Sequence, residues 1–314
     1  MKPQHRVILI VLAGCLLLGL AKPWASESQS GDWTIRRSDT PGKVHFSLMD
    51  SGHEHSFHYG SDWPASEFQG VDFSKTGRQE VRFTISRDAG KFECQGFLDN
   101  GEGTGLFHFV PDPKYPQEMK SLGFEGVTQE NQLSMAIHDV SLKFAQEINS
   151  EHLRGMDAHK LVAFRIHGVS KEFIEGLRSA GLSASESDKL IAFRIHGVSP
   201  EMVQALHKAG YTPDEDMLVA MRIHGATPEW IEQLNKAGYD HVDLHKLIAF
   251  RIHGVSPEFI AKLNEMGYVH PDPDKLIAMR IHGVTPEYIA DLRSRGMKDL
   301  SIDQLVRLKI HGIQ

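Results

Sequence analysis

Arginine and histidine recur together at a fixed spacing in the second half of the chain. The string Arg-Ile-His-Gly occurs five times, and its histidines are separated by 28 or 29 residues. A guanidinium binds carboxylates through a rigid fork of donors, and an imidazole changes its charge near neutral pH. These side chains form a candidate binding row for a carboxylate-bearing ligand or partner: Arg165, Arg194, Arg222, Arg251, Arg280, His167, His196, His224, His253 and His282.

The same residues also have a structural interpretation. Each arginine precedes a glutamate by seven residues, which favours an ion pair inside each unit. Each histidine lies at the predicted end of a helix, where an imidazolium can cap free carbonyls, so we expect the histidine pKa values to be raised. A pH-responsive row is the alternative. Metal binding along the row is disfavoured, because stacked units place their histidines roughly 10 Å apart.

A histidine-rich stretch in the first half is the candidate metal site. It reads His-Glu-His-Ser-Phe-His, and as a strand it would place its first two histidines on one side. The third histidine would need a turn, and further ligands are available nearby. Zinc or copper is the metal expected at His53, His55 and His58, with His45, Asp50 or Glu54 completing the site; a solvated loop is the favoured alternative.

No enzymatic motif accompanies these residues. The chain has no HExxH and no GxSxG, and Gly101–Gly105 lacks the GK[ST] of a phosphate-binding loop, which favours a hairpin turn. Cys94 alternates with Phe92 in a strand-like stretch, so we expect a buried, inert thiol. We therefore predict a non-catalytic protein without a cofactor. A nucleophile close to a base in a pocket would favour an enzyme instead.

Two short helices, A and B, explain the spacing of the repeat. In the unit that begins at Asp274, Gly283 ends helix A in a left-handed conformation. Thr285 then caps helix B, and Pro286 occupies its first turn. Because one hairpin cannot bury its apolar stripe alone, the units must stack, which predicts an α-solenoid of about six and a half hairpins. Replacing Gly225 by Val should cost more than about 1 kcal/mol.

The first half follows a different pattern. Apolar and polar residues alternate in several short runs, and Asn100-Gly101 between two of them is a strong hairpin signal. This predicts an antiparallel meander of about six strands. The expected fold class is α+β, with a signal peptide over residues 1–25, a β domain over residues 26–127 and a helical repeat array over residues 128–314.

The N-terminus predicts export. Lys2 and Arg6 precede an apolar run that is too short for comfortable membrane spanning, as in a signal peptide. We expect a periplasmic or secreted protein; lipidation of Cys15, which would tether it to a membrane, and an uncleaved anchor are the alternatives. The formal charge of −7 disfavours nucleic acid as a partner.

Part of the sequence resembles a known family. The stretch SRDAGKFECQGFLDNGEGTGLFHFVPDP and the HGVTPEYI-type units resemble exported regions fused to bacterial membrane metallopeptidases of the antirepressor type. The peptidase part is absent, so peptidase activity is not implied. The resemblance implies an interaction or sensing module that binds a protein or peptide partner in the cell envelope.

Overall fold

The computed structural model describes residues 29–49 and 57–313. These residues divide into two compact units, one within residues 29–85 together with 92–110 and the other within residues 86–91 together with 111–313. The predicted signal peptide, Cys15, His53 and His55 lie outside the described residues.

A six-stranded antiparallel sheet forms the first unit, and its strand order is β3-β2-β1-β6-β5-β4. Strands β1 to β3 and β4 to β6 are each consecutive neighbours, and β1 pairs with β6 to join the two sets. The predicted meander is therefore confirmed. The strands are Ser30–Arg37, Lys43–Met49, His58–Pro64, Arg78–Arg87, Gly90–Asp99 and Glu102–Pro111, and a short 3-10 helix covers Ala65–Glu67.

The sheet is strongly curved around an aromatic core. Trp63 on edge strand β3 contacts Phe92 on β5 with ring centroids 6.0 Å apart. Beyond β3, the backbone of Gln69 exchanges two hydrogen bonds with Thr84 on β4, the other edge strand. Edge rings meet inside the curve because every second residue points inwards. Cys94 is buried among them as predicted, and its burial raises the pKa of the thiol.

Glycines allow two strands of this sheet to approach closely. Asn100 and Gly101 both have positive φ, 52° and 85°, and form the predicted hairpin turn. Gly103 and Gly105 lie beyond the turn, within β6 rather than in a loop. A Cβ on either residue would lie about 2 Å from a backbone oxygen of β5. The glycine-rich segment is thus a turn followed by a tightly packed strand.

Fourteen helices lie in the second unit. After α1 (Tyr115–Ser121), they form six A–B hairpins and a single final A helix, which confirms the predicted repeat. The A helices are α2 (Gln129–Ile137), α4 (Ala158–His167), α6 (Ser187–His196), α8 (Glu215–His224), α10 (Leu244–His253), α12 (Pro273–Ile281) and α14 (Ile302–Ile310). The B helices are α3 (Leu142–Asn149), α5 (Lys171–Ser179), α7 (Pro200–Lys208), α9 (Pro228–Lys236), α11 (Pro257–Glu265) and α13 (Pro286–Ser294).

The predicted caps position every hairpin. Gly197, Gly225 and Gly254 have φ values of 74°, 73° and 75°, so the assignment of left-handed residues is correct. In the unit of α12, Val284 N–H donates to Met279 O at 2.8 Å, and Thr285 Oγ1 accepts from the N–H of Tyr288. These bonds turn the chain directly from helix A into helix B. No helix in the described ranges is both long and apolar enough to cross a bilayer.

One loop between hairpins is a residue shorter than the others. It follows Tyr211, as the sequence predicted, and connects α7 to α8. The loops in the neighbouring units contain a non-glycine residue of positive φ, namely Ala184, His241, His270 or Asp299. In the short loop no residue has positive φ after Gly210. The deletion therefore removes the left-handed position.

Candidate interaction face

Helix A buries one side and presents the other to solvent. In α6, Leu190 and Phe193 are fully buried. Ile191, Ala192 and Ile195 lie on the opposite side, because residues at i, i+1 and i+4 share one face of a helix. Ile191 and Ala192 are partly exposed, and Ile195 is 55% exposed. The solvent side of this helix is therefore apolar.

The same arrangement recurs in six A helices. The isoleucine at the end of each helix is between 53% and 56% exposed, which gives an isoleucine row of Ile166, Ile195, Ile223, Ile252, Ile281 and Ile310. A small residue precedes it by three positions in five of these helices: Ala163, Ala192, Ala220, Ala249 and Ala278. We call the isoleucine row and these alanines the A face. Exposed apolar surface repeated in this way is typical of interaction sites.

The repeat arginines bind the preceding unit. Arg194 Nε donates to His167 O at 3.1 Å, and Arg251 Nε donates to His224 O at 3.2 Å. Arg165, Arg222 and Arg280 make the equivalent bonds to His138, His196 and His253. The predicted ion pairs with the glutamates do not form among the described residues. The prediction was wrong because the guanidinium reaches a free helix-end carbonyl in the preceding unit.

Aromatic rings and glycines of the preceding unit complete the arginine site. The guanidinium of Arg194 lies 4.8 Å from the ring centre of Phe173, the third residue of helix B. Equivalent contacts join Arg165 to Phe144, Arg251 to Trp230, Arg280 to Phe259 and Lys309 to Tyr288. A Cβ on Gly168 would lie 2.7 Å from Arg194 Nη2. The glycine between helix A and helix B, here called the junction glycine, is therefore required both for the turn and for the close approach of the next unit's arginine.

The glutamates bind their own helix instead. Hydrogen bonds from the Ser199 hydroxyl and from its own backbone N–H lower the pKa of Glu201. The same two bonds lower the pKa values of Glu172 and Glu258; for Glu229 and Glu287 the backbone bond is the larger cause and the threonine hydroxyl the second. Each carboxylate is therefore occupied at the N-terminus of helix B. Local donors are closer to it than the arginine seven residues away.

The predicted imidazolium caps are absent from the described residues. The arginine of the next unit already occupies the carbonyls of His138, His167, His196, His224 and His253. The imidazoles of His167, His196, His224, His253 and His282 make no hydrogen bond among the described residues. At His138, burial is the main cause that lowers the pKa, and the nearby Arg87 and Arg165 lower it further. This direction is opposite to the predicted one, because burial and positive neighbours both disfavour the imidazolium.

Charged groups remain available in the seams between units. A seam is the boundary between two successive A helices, where the arginine of one unit meets the histidine backbone of the preceding unit, as Arg222 Nε meets His196 O. Among the described residues, the terminal amino groups of Arg194, Arg222, Arg251 and Arg280 make no hydrogen bond or ion pair. Each of these seams therefore offers guanidinium donors beside the isoleucine row.

The opposite ends of the A helices are joined by ion pairs. Lys160 Nζ lies 2.8 Å from Asp188, and Lys246 Nζ lies 2.8 Å from Asp274 of the following helix. Lys189 and Lys275 make the same contact with Asp216 and Asp303. These lysines neutralise the aspartates, so the cations without a bound carboxylate among the described residues, Arg194, Arg222, Arg251 and Arg280, lie at the arginine end of the A face.

The structure leaves the metal prediction untested. His58 is the exposed first residue of β3 and lies opposite Met49, whereas His53, His55, Asp50 and Glu54 are outside the described ranges. His45 is four residues from Met49 along β2, or roughly 13 Å, so it cannot share a metal with His58. His45 Nδ1 instead lies 3.0 Å from Asp62 Oδ1. Residues 29–49 and 57–313 contain no cluster of three potential ligands.

A serine–histidine pair lies in a concave part of the sheet surface. Ser30 Oγ is 3.1 Å from His108 Nδ1, and both line a hollow of about 770 Å³ with Asp32, Arg82 and Glu93. Ser30 and His108 are direct partners in the β1–β6 register, so the contact is a cross-strand pair on an exposed surface. Asp32 is the partner of Leu106 in that register.

The sequence interpretation missed the aromatic platform under the arginines. A signal existed, because the third residue of helix B is large in every unit: Phe144, Phe173, Met202, Trp230, Phe259 and Tyr288. A large residue at this position is ordinarily explained by packing inside its own hairpin. Its contact with a cation 21 residues later in the chain crosses from one unit to the next.

Comparison with known proteins adds no identity. No protein-family model and no curated protein sequence matches the chain.

Proposed function

We propose that this chain is an exported, non-catalytic interaction or envelope-sensing module whose A face binds a protein or peptide partner. The observation that carries the proposal is the isoleucine row, six half-exposed apolar side chains repeated beside guanidinium groups, four of which make no ion pair among the described residues. Burying such side chains stabilises a complex by roughly 25 cal/mol per Å² of apolar area. Stacked repeats also present long continuous surfaces, which suit an extended partner.

Peptide selection tests the proposal and requires no identified partner. A random-sequence library is selected against the immobilised full chain, and each recovered peptide is measured against the Ile195→Ser/Ile223→Ser/Ile252→Ser variant. A matched control carries Gln204→Ser, Gln233→Ser and Ala261→Ser on exposed positions of the B helices. We expect the isoleucine variant to lose at least about tenfold in affinity and the control to lose none. Recovery of no peptide, or equal binding by both variants, would contradict the proposal.

The enzyme alternative now has one concrete pair of residues. If Ser30 and His108 form a hydrolytic site, a fluorophosphonate probe should label the chain at Ser30, and Ser30→Ala should abolish the labelling. We expect no labelling, since the geometry is that of an exposed cross-strand pair. Labelling at Ser30 would contradict a non-catalytic function.

Export remains part of the proposal. Mass spectrometry of the protein purified from its own cells should show a new N-terminus at Lys22 or Ser26, or a lipid on Cys15 if the chain is anchored. A chain that still begins at Met1 would contradict both forms.

A further inference from the structure

We propose that the partner of the A face is an extended, acidic polypeptide with a three-residue period, in which one position is apolar and the next is acidic. This inference rests on the proposed function and specifies its ligand. It is drawn from the spacing, the chemistry and the charge of the repeated surface.

Spacing sets the period. Helices packed side by side lie roughly 8–10 Å apart, and consecutive A helices pack in this way along the array. A polyproline II helix has three residues per turn and advances about 9 Å per turn. Every third side chain of such a segment therefore meets the equivalent position on the next A helix. An α-helix advances about 5.4 Å per turn and falls out of step.

The chemistry of one unit defines two of the three positions. Ile195 and Ala192 offer an apolar surface on α6, where the short alanine lets a ligand side chain approach the helix. The seam next to them holds the terminal amino groups of Arg222, whose Nε bonds His196 O. A carboxylate accepts paired hydrogen bonds from a guanidinium of this kind. An apolar ligand residue can therefore pack on Ile195 and Ala192, and an acidic ligand residue next to it can bind the guanidinium in the seam.

The charge of the surface selects an acidic ligand over a basic one. At the opposite end of the A helices the lysines are paired with aspartates, for example Lys246 with Asp274. At the seam end Arg165 is paired with Asp139, whereas Arg194, Arg222, Arg251 and Arg280 bind neutral carbonyls and make no ion pair among the described residues, so no carboxylate is bound to these four guanidinium groups. Electrostatic complementarity therefore favours carboxylates along this row.

The third position faces solvent, and proline there would hold the extended conformation. A preformed polyproline II segment loses less entropy on binding than a flexible chain does. The synthetic peptide acetyl-(Leu-Glu-Pro)6-amide meets all three requirements. Its six triplets match the six A helices from α4 to α14 that carry the isoleucine row.

Titration of the full chain with defined peptides tests the period. We expect the (Leu-Glu-Pro)6 peptide to bind at least about tenfold more tightly than a peptide of identical composition in scrambled order, and shortening to three triplets to weaken binding by at least about tenfold. The peptide with Lys in place of Glu should not bind. Added salt should weaken the binding of the acidic peptide, since the seam is open to solvent.

Variants of the chain assign the contacts. Ile195→Ser/Ile223→Ser/Ile252→Ser should abolish the preference for the ordered peptide, and the control with Gln204→Ser, Gln233→Ser and Ala261→Ser should keep it. Circular dichroism confirms that each variant is folded. Arg222→Lys keeps the charge but not the planar fork, and should weaken binding by a few-fold.

Each outcome supports or overturns the period. Equal affinity for ordered and scrambled peptides, or no binding of the ordered peptide, would overturn it. In that case the random-library selection decides separately whether the A face binds any peptide. Equal binding by the isoleucine variant would move the site elsewhere and overturn both the period and the proposed face.

Discussion

At the scale of single residues, the junction glycines carry two constraints that substitution can separate. Gly225 has a φ of 73°, and a Cβ there would lie 2.8 Å from Arg251 Nη2. Gly283 has a φ of 70°, but its nearest neighbour would be 3.8 Å away. Alanine at Gly283 should cost about 1–2 kcal/mol for the left-handed conformation alone. Alanine at Gly225 should cost about 1 kcal/mol more, because Arg251 must move.

Urea denaturation of the full chain and the two variants measures this difference. Equal costs at the two positions would show that the arginine approach contributes nothing to the requirement for glycine.

Two tyrosines that follow helix B differ by a single hydrogen bond. Tyr239 Oη donates to Pro271 O at 2.7 Å, whereas the buried hydroxyl of Tyr211, next to the short loop, has no partner within the described residues. Tyr239→Phe should therefore cost about 1 kcal/mol, since the Pro271 carbonyl loses its donor. Tyr211→Phe should be neutral or slightly stabilising. Melting temperatures of the two variants test this, and a larger loss for Tyr211→Phe would contradict it.

At the scale of the helices, the charges at helix ends determine how stability depends on pH. The pKa of His138 is lowered from 6.5, so the unfolded chain binds more protons and stability falls as pH drops through about 6.5. The glutamates at the starts of the B helices also have lowered pKa values. Their contribution is present above about 4.5 and is lost as pH falls through the folded values.

The melting temperature should therefore rise from acid to neutral pH and then level off. His138→Gln should flatten the curve between about pH 5.5 and 7 while leaving the more acidic part unchanged. A melting temperature that is highest in acid would instead support imidazolium caps at the helix ends.

The sequence predicts interactions between residues that are close along the chain better than interactions between residues that are far apart along it. The caps of α13 involve Thr285, Pro286 and their immediate neighbours, so local spacing was sufficient to find them. The partner of Arg251 is the backbone carbonyl of His224, 27 residues earlier, and a carbonyl leaves no mark in a sequence. A glutamate seven residues away was the visible candidate. The isoleucine row was also missed, because apolar residues at helical spacing are ordinarily buried.

At the scale of the whole molecule, the array should tolerate the loss of a unit. Deletion of residues 196–223 removes one A–B repeat and joins Ile195 to His224, so that Arg251 still meets a histidine carbonyl and a junction glycine. Because stability in such arrays is a sum over units and their neighbours, we expect a shorter folded chain with a lower unfolding free energy. Circular dichroism and urea denaturation measure this. Complete loss of helical signal would indicate one indivisible core.

The arginine contact has a consequence for how the units can change over time. The arginine of each unit needs three features of the preceding unit. These are the backbone carbonyl of the histidine, the glycine that follows it and a large side chain at the third position of helix B. That side chain is already Phe173 under Arg194, Trp230 under Arg251 and a methionine, Met202, in the unit before Arg222. Neighbouring units therefore do not need matched mutations to stay joined. A duplicated or transplanted unit would find a ready acceptor at any point in the array, while its outward residues remain free to diversify.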